Sequence, residues 1–331
     1  MASSIGLTGD VMLGRLVDQY QRQRAVTAVW GDVLDRLGAL DGLFVNLECC
    51  LSTRGEPWRR TRRPFHFRAD PDWAVPALRR AGVDCCGLAN NHVLDYEERA
   101  LLDTLDHLDE AGIPHAGAGR TREEAFQPAV VGVDDLDVGF VSLTDNTPEY
   151  AATETEPGTA WVEIDVDDAE TRAAVDETLQ RVRQHDPDLL VASLHWGPNM
   201  VEEPPESFRT FARWLVDRGV DVLHGHSAHV FQGVEVYDGQ PICYDTGDFV
   251  DDYAVDERLH NDRSFLFELT VTDAGEVTEL RLTPTEIDDC AVHEAPDPVA
   301  RWSRKRMQAL SAPFGTTFER EGDQLVLSLP G

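Results

Sequence analysis

Side chains that bind transition metals directly follow five apolar segments with the composition of buried strands. Carboxylate oxygens, imidazole nitrogens and amide oxygens are ligands suited to such ions. The carboxyl ends of the strands in an open α/β sheet share one edge, so residues far apart in the chain converge there. We therefore predict a site for one or two divalent transition ions, Mn, Zn or Fe, formed by Asp10, Glu48, Asn91, His195, His226 and His229.

Each of these residues also has a purely structural explanation. A single histidine at a strand end commonly forms hydrogen bonds without a metal, and Asp10, Glu48 or Asn91 is suited to cap a helix that follows it. The occurrence of such residues after five separate strands favours a metal site over five unrelated caps.

The strands that must carry these residues alternate with amphipathic segments, a pattern typical of α/β proteins rather than of helical bundles. Strands are predicted at residues 5–7, 43–47, 83–88, 129–133, 138–143, 189–194 and 220–223, and helices at 30–40, 71–81, 97–111, 169–185 and 206–218. Beyond residue 230, segments 233–237, 241–244, 265–272 and 277–283 predict consecutive strands joined by short turns such as "DAGE". The second half is therefore expected to be antiparallel, and "DPVARWSRKRMQAL" to be helical.

The composition is strongly acidic. Of 331 residues 42% are hydrophobic, enough for a large core, but 61 acidic residues face 29 basic ones and Lys305 is the one lysine. Because the acids are spread along the chain, they predict a salt-adapted protein whose surface stays hydrated when salt screens charge. An acidic surface that binds cationic partners is the alternative. A net charge of −32 argues against a nucleic-acid partner.

Membrane and redox features are absent from the sequence. "MASSIGLTGDVMLGR" has no basic segment before its short apolar run, and no apolar stretch approaches the ~20 residues that span a bilayer. We expect a cytoplasmic protein without an integral membrane segment. The six cysteines show no CxxC spacing and are expected to pack as small hydrophobic side chains.

An arginine-rich stretch, "RGEPWRRTRRPFHFRADP" at residues 54–71, stands out in this acidic chain. It is suited to binding an anion, and equally to pairing with neighbouring acids that hold a long loop in place. A second polar segment, "DNTPEYAATETEPGTA" at residues 145–160, also interrupts the alternation of strands and helices.

The ordered series "GDVMLGR", "NLE", "ANNHVLD", "HWG", "GHSAHVFQ" and "YDTGDF" resembles the CapA family of poly-γ-glutamate capsule proteins, which has the calcineurin-like metallophosphoesterase fold. The resemblance covers roughly residues 4–250. It implies a four-layer α-β-β-α sandwich with mixed sheets. The corresponding domain is expected at residues 1–295, with residues 296–331 as a C-terminal appendage packed on it.

The resemblance also implies roles for individual residues. The acid of the family's opening "GD" motif corresponds to Asp10. The acid of "NLE" corresponds to Glu48, where metallophosphoesterases have a bridging carboxylate. Asn91 is the implied amide ligand, and His195, His226 and His229 match the three later histidines of the family.

Three further residues are candidates for catalysis. His92 is expected to contact the substrate and donate a proton to the leaving group or a hydrogen bond to the oxyanion. Asp95 is suited to orient His92, or alternatively to interact with the N-terminal dipole of the next helix. Arg15 is suited to bind a substrate carboxylate or phosphate, or alternatively to form a structural ion pair.

The chain departs from the family pattern at several positions. Met12 stands where metallophosphoesterases usually have a histidine, which would remove one nitrogen ligand. Asn199 replaces a more frequent Glu, Ser227 and Ala228 replace His and Pro, and Asp248 replaces Asn. These last changes are expected at the rim of the site, where they affect the choice of substrate more than metal binding.

The function predicted from the sequence is that of a metal-dependent hydrolase. A metal-activated water would attack a phosphoester or a γ-glutamyl amide, so the expected partner is a small-molecule or oligoglutamate substrate. The alternative is a non-catalytic, polyglutamate-binding or capsule-biosynthesis scaffold subunit. A serine or cysteine hydrolase is disfavoured because the chain lacks a GxSxG motif and a cysteine beside a histidine.

Overall fold

The computed structural model describes residues 2–330. Within that range the α-helices are α1 (Arg15–Gln21), α2 (Leu34–Leu37), α3 (Pro71–Ala81), α4 (Glu97–Ala111), α5 (Arg122–Ala125), α6 (Ala169–Arg183), α7 (Glu206–Val216) and α8 (Asp297–Ser311). Segments of 3-10 helix occupy Ala28–Val33, Pro148–Tyr150 and Ala312–Phe314.

The strands of the same range are numbered along the chain. They are β1 (Ser3–Val11), β2 (Gly42–Leu47), β3 (Cys50–Leu51), β4 (Arg68–Ala69), β5 (Cys85–Gly87), β6 (His115–Ala116), β7 (Ala118–Gly119), β8 (Ala129–Val133), β9 (Leu136–Thr144), β10 (Gly158–Thr159), β11 (Leu189–His195), β12 (Val222–His226), β13 (Val234–Tyr237), β14 (Gln240–Cys243), β15 (Asp248–Val250), β16 (Arg263–Val271), β17 (Val277–Asp288), β18 (Ala291–Glu294), β19 (Glu319–Glu321) and β20 (Gln324–Ser328).

Two mixed sheets carry most of these strands. Within residues 2–330 the larger has the order β19-β20-β17-β16-β1-β2-β5-β6, with β15 paired to β1 and β18 to β17. The smaller has the order β13-β14-β12-β11-β9-β8. Strands β1, β2, β5 and β6 are parallel, as are β9, β11, β12 and β14. The predicted α/β class with mixed sheets is confirmed.

The two faces of each strand belong to different apolar cores. Phe44 of β2 packs into a core shared by the two sheets, whereas its neighbour Val45 packs against helices α3 and α4. In the smaller sheet Val191 of β11 faces the shared core, whereas Leu190 packs against α6 and α7. This alternation follows from the two-residue period of a strand. Each large apolar side chain that is fully buried contributes about 1.5–3 kcal/mol.

The cysteines follow the same alternation. Cys85 of β5 lies in the shared core and Cys86 in the core beneath the helices. All six cysteines are free, and five of them are buried. Their predicted role as small hydrophobic side chains is therefore confirmed.

Local sequence fixes the ends of helices and the register of strands. Asp70 caps α3 by accepting a hydrogen bond from the backbone N–H of Asp72 at 3.0 Å. Gly82 ends that helix with a φ of 77°. The carboxylate of Asp84, just before β5, accepts a hydrogen bond from the Leu43 N–H of β2 at 2.8 Å. This bond ties the start of one parallel strand to its neighbour.

The prediction of one helix at residues 30–40 is wrong. A 3-10 turn and the four-residue α2 occupy this region instead. Gly31 interrupts it with a φ of 45°, and a Cβ at this position would lie 2.2 Å from the carbonyl oxygen of Val292. The close passage of β18 therefore imposes a conformation that a continuous helix does not have.

The C-terminal segment contributes to the shared core. Strands β19 and β20 extend the larger sheet, and Met307 and Leu310 of α8 lie in the core shared by the sheets. A domain boundary near residue 295 stays a prediction. The expected antiparallel character of the second half is confirmed for the pairs β13–β14 and β16–β17, whereas β14 pairs with β12 and β15 with β1 in parallel.

Candidate metal centre

Strand register places three predicted ligands and Asp248 in two pairs. Asp10 near the end of β1 lies opposite Asp248 at the start of β15. In the smaller sheet His195 at the end of β11 lies opposite His226 at the end of β12. Because the two sheets pack face to face through their shared core, the pairs meet between them. All four side chains are buried.

A glycine permits the approach of β15 to β1. The backbone N–H of Asp10 donates to the carbonyl oxygen of Gly247 at 2.9 Å. A Cβ at Gly9 would lie 2.0 Å from that same oxygen. Residue 9 must therefore lack a side chain for Asp248 to reach Asp10.

Asp10, His195 and His226 form the first group of potential ligands. The Nδ1 atoms of the two histidines are 2.9 Å apart, and they lie 3.6 Å and 3.4 Å from Asp10 Oδ1. Ligands that each bind a tetrahedral ion at ~2.0 Å are separated by about 3.3 Å. The three atoms thus have the spacing of ligands around one ion.

Asp10, Glu48, His229 and Asp248 form the second group, whose ligand atoms all lie within 4.8 Å of one another. His229 Nδ1 lies 2.9 Å from Asp248 Oδ1 and 3.7 Å from Asp10 Oδ2. The hydroxyl of Tyr253 donates to Glu48 Oε2 at 3.3 Å. Asp10 belongs to both groups, one carboxylate oxygen facing each.

Three carboxylate oxygens at the centre are buried without a hydrogen-bond partner: Asp10 Oδ2, Glu48 Oε1 and Asp248 Oδ2. Burying an unpaired carboxylate is costly unless a cation or a metal compensates its charge. A mixed set of carboxylates and imidazoles is also the donor set that Zn, Mn and Fe accept. The residues at this centre therefore fit divalent transition ions.

A directional chain of hydrogen bonds fixes the ring of His226. The carbonyl oxygen of Thr8 can only accept, so His224 Nε2 donates to it at 2.7 Å. His224 Nδ1 must then accept from the Ser193 hydroxyl at 3.2 Å. Ser193 Oγ in turn accepts from His226 Nε2 at 2.9 Å. His226 Nδ1 is left with its lone pair directed at Asp10 and His195.

Asn91 fixes the ring of His195 in the same way. With the amide oxygen of Asn91 3.0 Å from His195 Nε2, that nitrogen carries the proton. The lone pair of His195 Nδ1 then points toward His226 and Asp10. This contact gives the predicted amide ligand a positioning role.

The electrostatics of the centre agree with this assignment. Burial lowers the pKa of His226 to about 4, so its ring is neutral and available as a ligand. Burial, and then the charge of Asp10, raise the pKa of Glu48. A bound cation would favour its ionised form.

His92 and Asp95 form a buried pair beside the second group. His92 Nδ1 donates to Asp95 Oδ2 at 2.5 Å, and the other ring nitrogen lies 3.8 Å from Glu48 Oε1. Asp95 also accepts from the N–H of Phe67 and the hydroxyl of Tyr150, at 2.7 Å and 3.0 Å. Helix α4 begins two residues later, so the contacts of Asp95 favour orientation of His92 over interaction with the helix dipole.

Two arginines flank this pair. The ring of Phe67 stacks on His92 with centroids 3.7 Å apart, and the guanidinium carbon of Arg15 lies 5.5 Å from the Phe67 centroid. Arg15 Nε lies 3.4 Å from Asp252, so the predicted ion pair exists, but its Nη1 is buried without a partner. Arg63 donates to the carbonyl oxygen of Asn91 at 3.3 Å.

The arginines of the arginine-rich loop differ in their partners: some pair with neighbouring acids, whereas Arg63 remains suited to binding an anion. Arg54 donates from Nε to Asp103 at 2.9 Å, and Arg60 donates to Glu97 and Glu98 at 2.5 Å each, so these two anchor the loop. The partners of Arg63 are neutral: besides the Asn91 carbonyl they are the Thr147 hydroxyl and the Tyr150 ring. Its Nε is buried without a partner.

The departures from the family pattern are not all peripheral. Asp248 is 1% exposed and belongs to the second group, so its expected place at the rim is wrong. Ser227 is buried too, and its hydroxyl accepts from the Asn146 amide at 3.0 Å. Asn199 is exposed. Met12 is fully buried, and its sulfur accepts the N–H of Gly14 at 3.1 Å.

Several residues of the centre were not predicted from the sequence. Asn46 donates to Asp10 Oδ1 at 2.6 Å, and Asn90 donates to the amide oxygen of Asn46 at 3.2 Å. His224 and Ser193 also lacked an assignment. The alternation of side chains along β12 is a usable signal, because His224 lies two residues before His226 and therefore on the same face.

Of the helices formed by residues 2–330, none has both the length and the apolar character that a bilayer span requires.

Comparison with known proteins gives consistent matches. The model of a family described as bacterial capsule synthesis protein PGA_cap matches residues 4–253. A probable polyglutamine synthesis accessory protein of Mycobacterium tuberculosis is 33% identical over 98% of this chain and 95% of its own length.

Two Bacillus proteins are also similar. The capsule biosynthesis protein CapA of Bacillus anthracis is 29% identical over 74% of this chain and 59% of its own length. The PGA biosynthesis protein CapA of Bacillus subtilis is 26% identical over 83% and 72%, respectively.

Proposed function

Because the chain belongs to the bacterial capsule synthesis protein family PGA_cap, we propose that it is a metal-dependent hydrolase built on a metallophosphoesterase-type, four-layer α-β-β-α sandwich. The observation that carries the proposal is the position of Asp10. Its two oxygens face two groups of buried ligands, as a carboxylate shared by two ions would.

The proposed ligands are divided between two ions, Mn, Zn or Fe. Asp10, His195 and His226 would hold the first, and Asp10, Glu48, His229 and Asp248 the second. Asn91 would complete the first site indirectly, by holding the ring of His195. When bound, such ions lower the pKa of water and polarise the electrophile.

His92 is the proposed proton donor to the leaving group. Its Nδ1–H donates a hydrogen bond to Asp95, so the other nitrogen can donate only when the ring is protonated. Burial lowers the pKa of His92, and Asp95 raises it in opposition. Asp95 therefore supports the protonated ring as well as its orientation.

An anionic substrate is supported by the two flanking arginines. Arg15 and Arg63 each have a buried guanidinium nitrogen without a partner. Arg15 lies over the Phe67 ring that stacks on His92, and Arg63 donates to the carbonyl oxygen of Asn91. A guanidinium binds a carboxylate or phosphate through charged hydrogen bonds. We propose that the scissile bond is a phosphoester or a γ-glutamyl amide; the resemblance of the sequence motifs to poly-γ-glutamate capsule proteins favours a glutamate polymer.

The second candidate function is that of a non-catalytic, polyglutamate-binding or capsule-biosynthesis scaffold subunit. Met12 favours it, because a thioether that accepts a backbone hydrogen bond supplies no imidazole to the centre. The name of the mycobacterial relative, an accessory protein, is compatible with this role. Salt adaptation, from the acidic composition, and a cytoplasmic location remain further predictions from the sequence.

Metal analysis and hydrolysis assays separate the two functions. The protein is purified at high salt and its Mn, Zn and Fe content is measured, with Asp10→Asn and His226→Ala as variants and exposed His185→Gln as the matched control. An aryl phosphate and γ-linked glutamate oligomers are then tested with added Mn or Zn. Hydrolysis lost in both variants and kept in the control supports the enzyme. Bound metal without hydrolysis of either substrate favours the scaffold.

A further inference from the structure

An acidic cavity lies beside the loop that follows β15. Its volume is about 250 Å³, and its walls include Leu16, Val255 and Ile287. Its acidic lining consists of Asp251, Asp252, Asp262, Asp288 and Asp289. The proposed hydrolase mechanism uses none of these residues.

Three carboxylate oxygens at this cavity are buried without a hydrogen-bond partner. They are Asp251 Oδ2, Asp252 Oδ1 and Asp262 Oδ1. Asp251 is 4% exposed as a residue, and the side chain of Asp252 is 1% exposed. Unpaired carboxylates at this depth are costly, and a cation in the cavity would offset that cost.

Arginines compensate part of this negative charge. Arg24 pairs with Asp289 at 2.6 Å, and the Nε atoms of Arg15 and Arg263 lie 3.4 Å and 3.9 Å from Asp252 and Asp262. His260 Nδ1 lies 3.8 Å from Asp262 Oδ1.

Asp251 lies next to a further carboxylate. Its Oδ1 accepts the backbone N–H of Tyr253 at 3.0 Å, and the side chain faces the carboxylate of Asp248. The lining as a whole therefore remains negative.

The arrangement fits an organic cation better than a bare metal ion. Among residues 2–330, the groups of metal-binding atoms close enough to share one ion include neither Asp252 nor Asp262. Leu16 and Val255 are 42% and 51% exposed, unusually high for large apolar residues in this chain. Apolar walls next to separated carboxylates suit a ligand with an aliphatic chain and a charged end.

We propose that this cavity binds an aliphatic amine cation. Its ammonium group donates to the free oxygens of Asp252 and Asp262, and its carbon chain packs against Leu16 and Val255. The proposal does not depend on hydrolysis at the metal centre, and it holds equally if the chain is a scaffold.

Calorimetric titration of the metal-loaded protein with 1,4-diaminobutane tests the proposal. The neutral isostere 1,4-butanediol and Mg²⁺ are titrated in parallel, at low and at high salt. The variants are Asp262→Asn and Val255→Asn, and Asp135→Asn at an exposed hairpin is the control for loss of one surface charge. Thermal melting by circular dichroism checks the fold of each. If Asp262→Asn has a lower melting temperature than the unchanged protein, Val255→Asn still tests the proposal, because Val255 is half-exposed and its replacement is expected to leave the fold intact.

The expected result is that the diamine binds and the diol does not. The dissociation constant should rise about tenfold in Asp262→Asn, as for loss of one charged hydrogen bond, and several-fold in Val255→Asn. It should stay within twofold in Asp135→Asn. Equal weakening in Asp135→Asn and Asp262→Asn would mean a diffuse acidic surface and overturn the proposal. So would Mg²⁺ displacing the diamine at equal concentration.

Discussion

The Nδ1 atoms of His195 and His226 lie 2.9 Å apart, and the hydrogen bonds of the opposite ring nitrogens leave a lone pair on each. Thr8 fixes one ring through His224 and Ser193, and Asn91 fixes the other. Two neutral acceptors at this distance repel unless a cation lies between them. This relationship, together with the free oxygen of Asp10, is the physical basis of the proposed metal centre.

Replacement of Asp248 should remove one ion and leave the other. Asp248 belongs to the second ligand group but not to the first. We expect Asp248→Asn to bind about half the metal of the unchanged protein and to lose most of its hydrolytic activity, because the second group loses a charged ligand. Metal content by mass spectrometry measures this. A full complement of metal in Asp248→Asn would exclude Asp248 as a ligand.

The pH dependence of kcat should report on His92. If protonated His92 is the donor, the rate falls as the pH rises through its pKa, which burial places below the usual value near 6.5. Asp95 raises that pKa, so Asp95→Asn should move this falling limb of the pH–rate profile to lower pH and reduce kcat at neutral pH. The limb should disappear in His92→Gln.

Metal content is the control for both His92 and Asp95 variants. It should equal that of the unchanged protein, since neither residue is a proposed ligand. A limb that stays in place in Asp95→Asn would contradict the assignment of Asp95 as the partner that orients and charges His92.

Arg63 should affect substrate binding more than turnover. We expect Arg63→Gln to raise KM for an anionic substrate about tenfold with a small change in kcat, as for loss of one charged hydrogen bond. Arg62→Gln is the matched control, because Arg62 is an exposed arginine of the same loop. Steady-state kinetics measure both. An equal rise of KM in the two variants would mean that the general charge of the loop, rather than Arg63, attracts the substrate.

Replacement of Gly9 by alanine should disrupt the metal centre by displacing the backbone of β15. The alanine Cβ would lie 2.0 Å from the Gly247 carbonyl oxygen and push β15 away from β1. We expect Gly9→Ala to lose about 1–3 kcal/mol in the free energy of unfolding, together with most of the metal affinity. Gly132→Ala is the control, since a Cβ there meets nothing within 4 Å. The free energy of unfolding is measured with denaturant. If Gly9→Ala is as stable as the unchanged protein, β15 does not need this close approach.

Much of the centre could be predicted from strand ends. Asp10, Glu48, His195 and His226 follow apolar segments that are recognisable from composition, and parallel strands deliver their ends to one edge. Asp248 was not predicted as a ligand because β15 has three residues and pairs with a strand more than two hundred positions earlier. Its neighbours give no periodic signal of that pairing.

The prediction of a helix at residues 30–40 was wrong for a similar reason. Its apolar spacing is helical, but the carbonyl of Val292 approaches Gly31 too closely for a regular turn. The hydrogen-bond chain from Thr8 to His226 likewise joins the two sheets. Contacts between distant segments decided these points, and local patterns do not encode them.

The most direct test of the metal centre is anomalous X-ray diffraction from crystals of the protein grown with Mn or Zn. The account predicts an anomalous peak within bonding distance of Asp10 Oδ1, His195 Nδ1 and His226 Nδ1, and loss of that peak in Asp10→Asn. A crystal that contains the ion elsewhere, with the two Nδ1 atoms still facing each other and no peak between them, would contradict it.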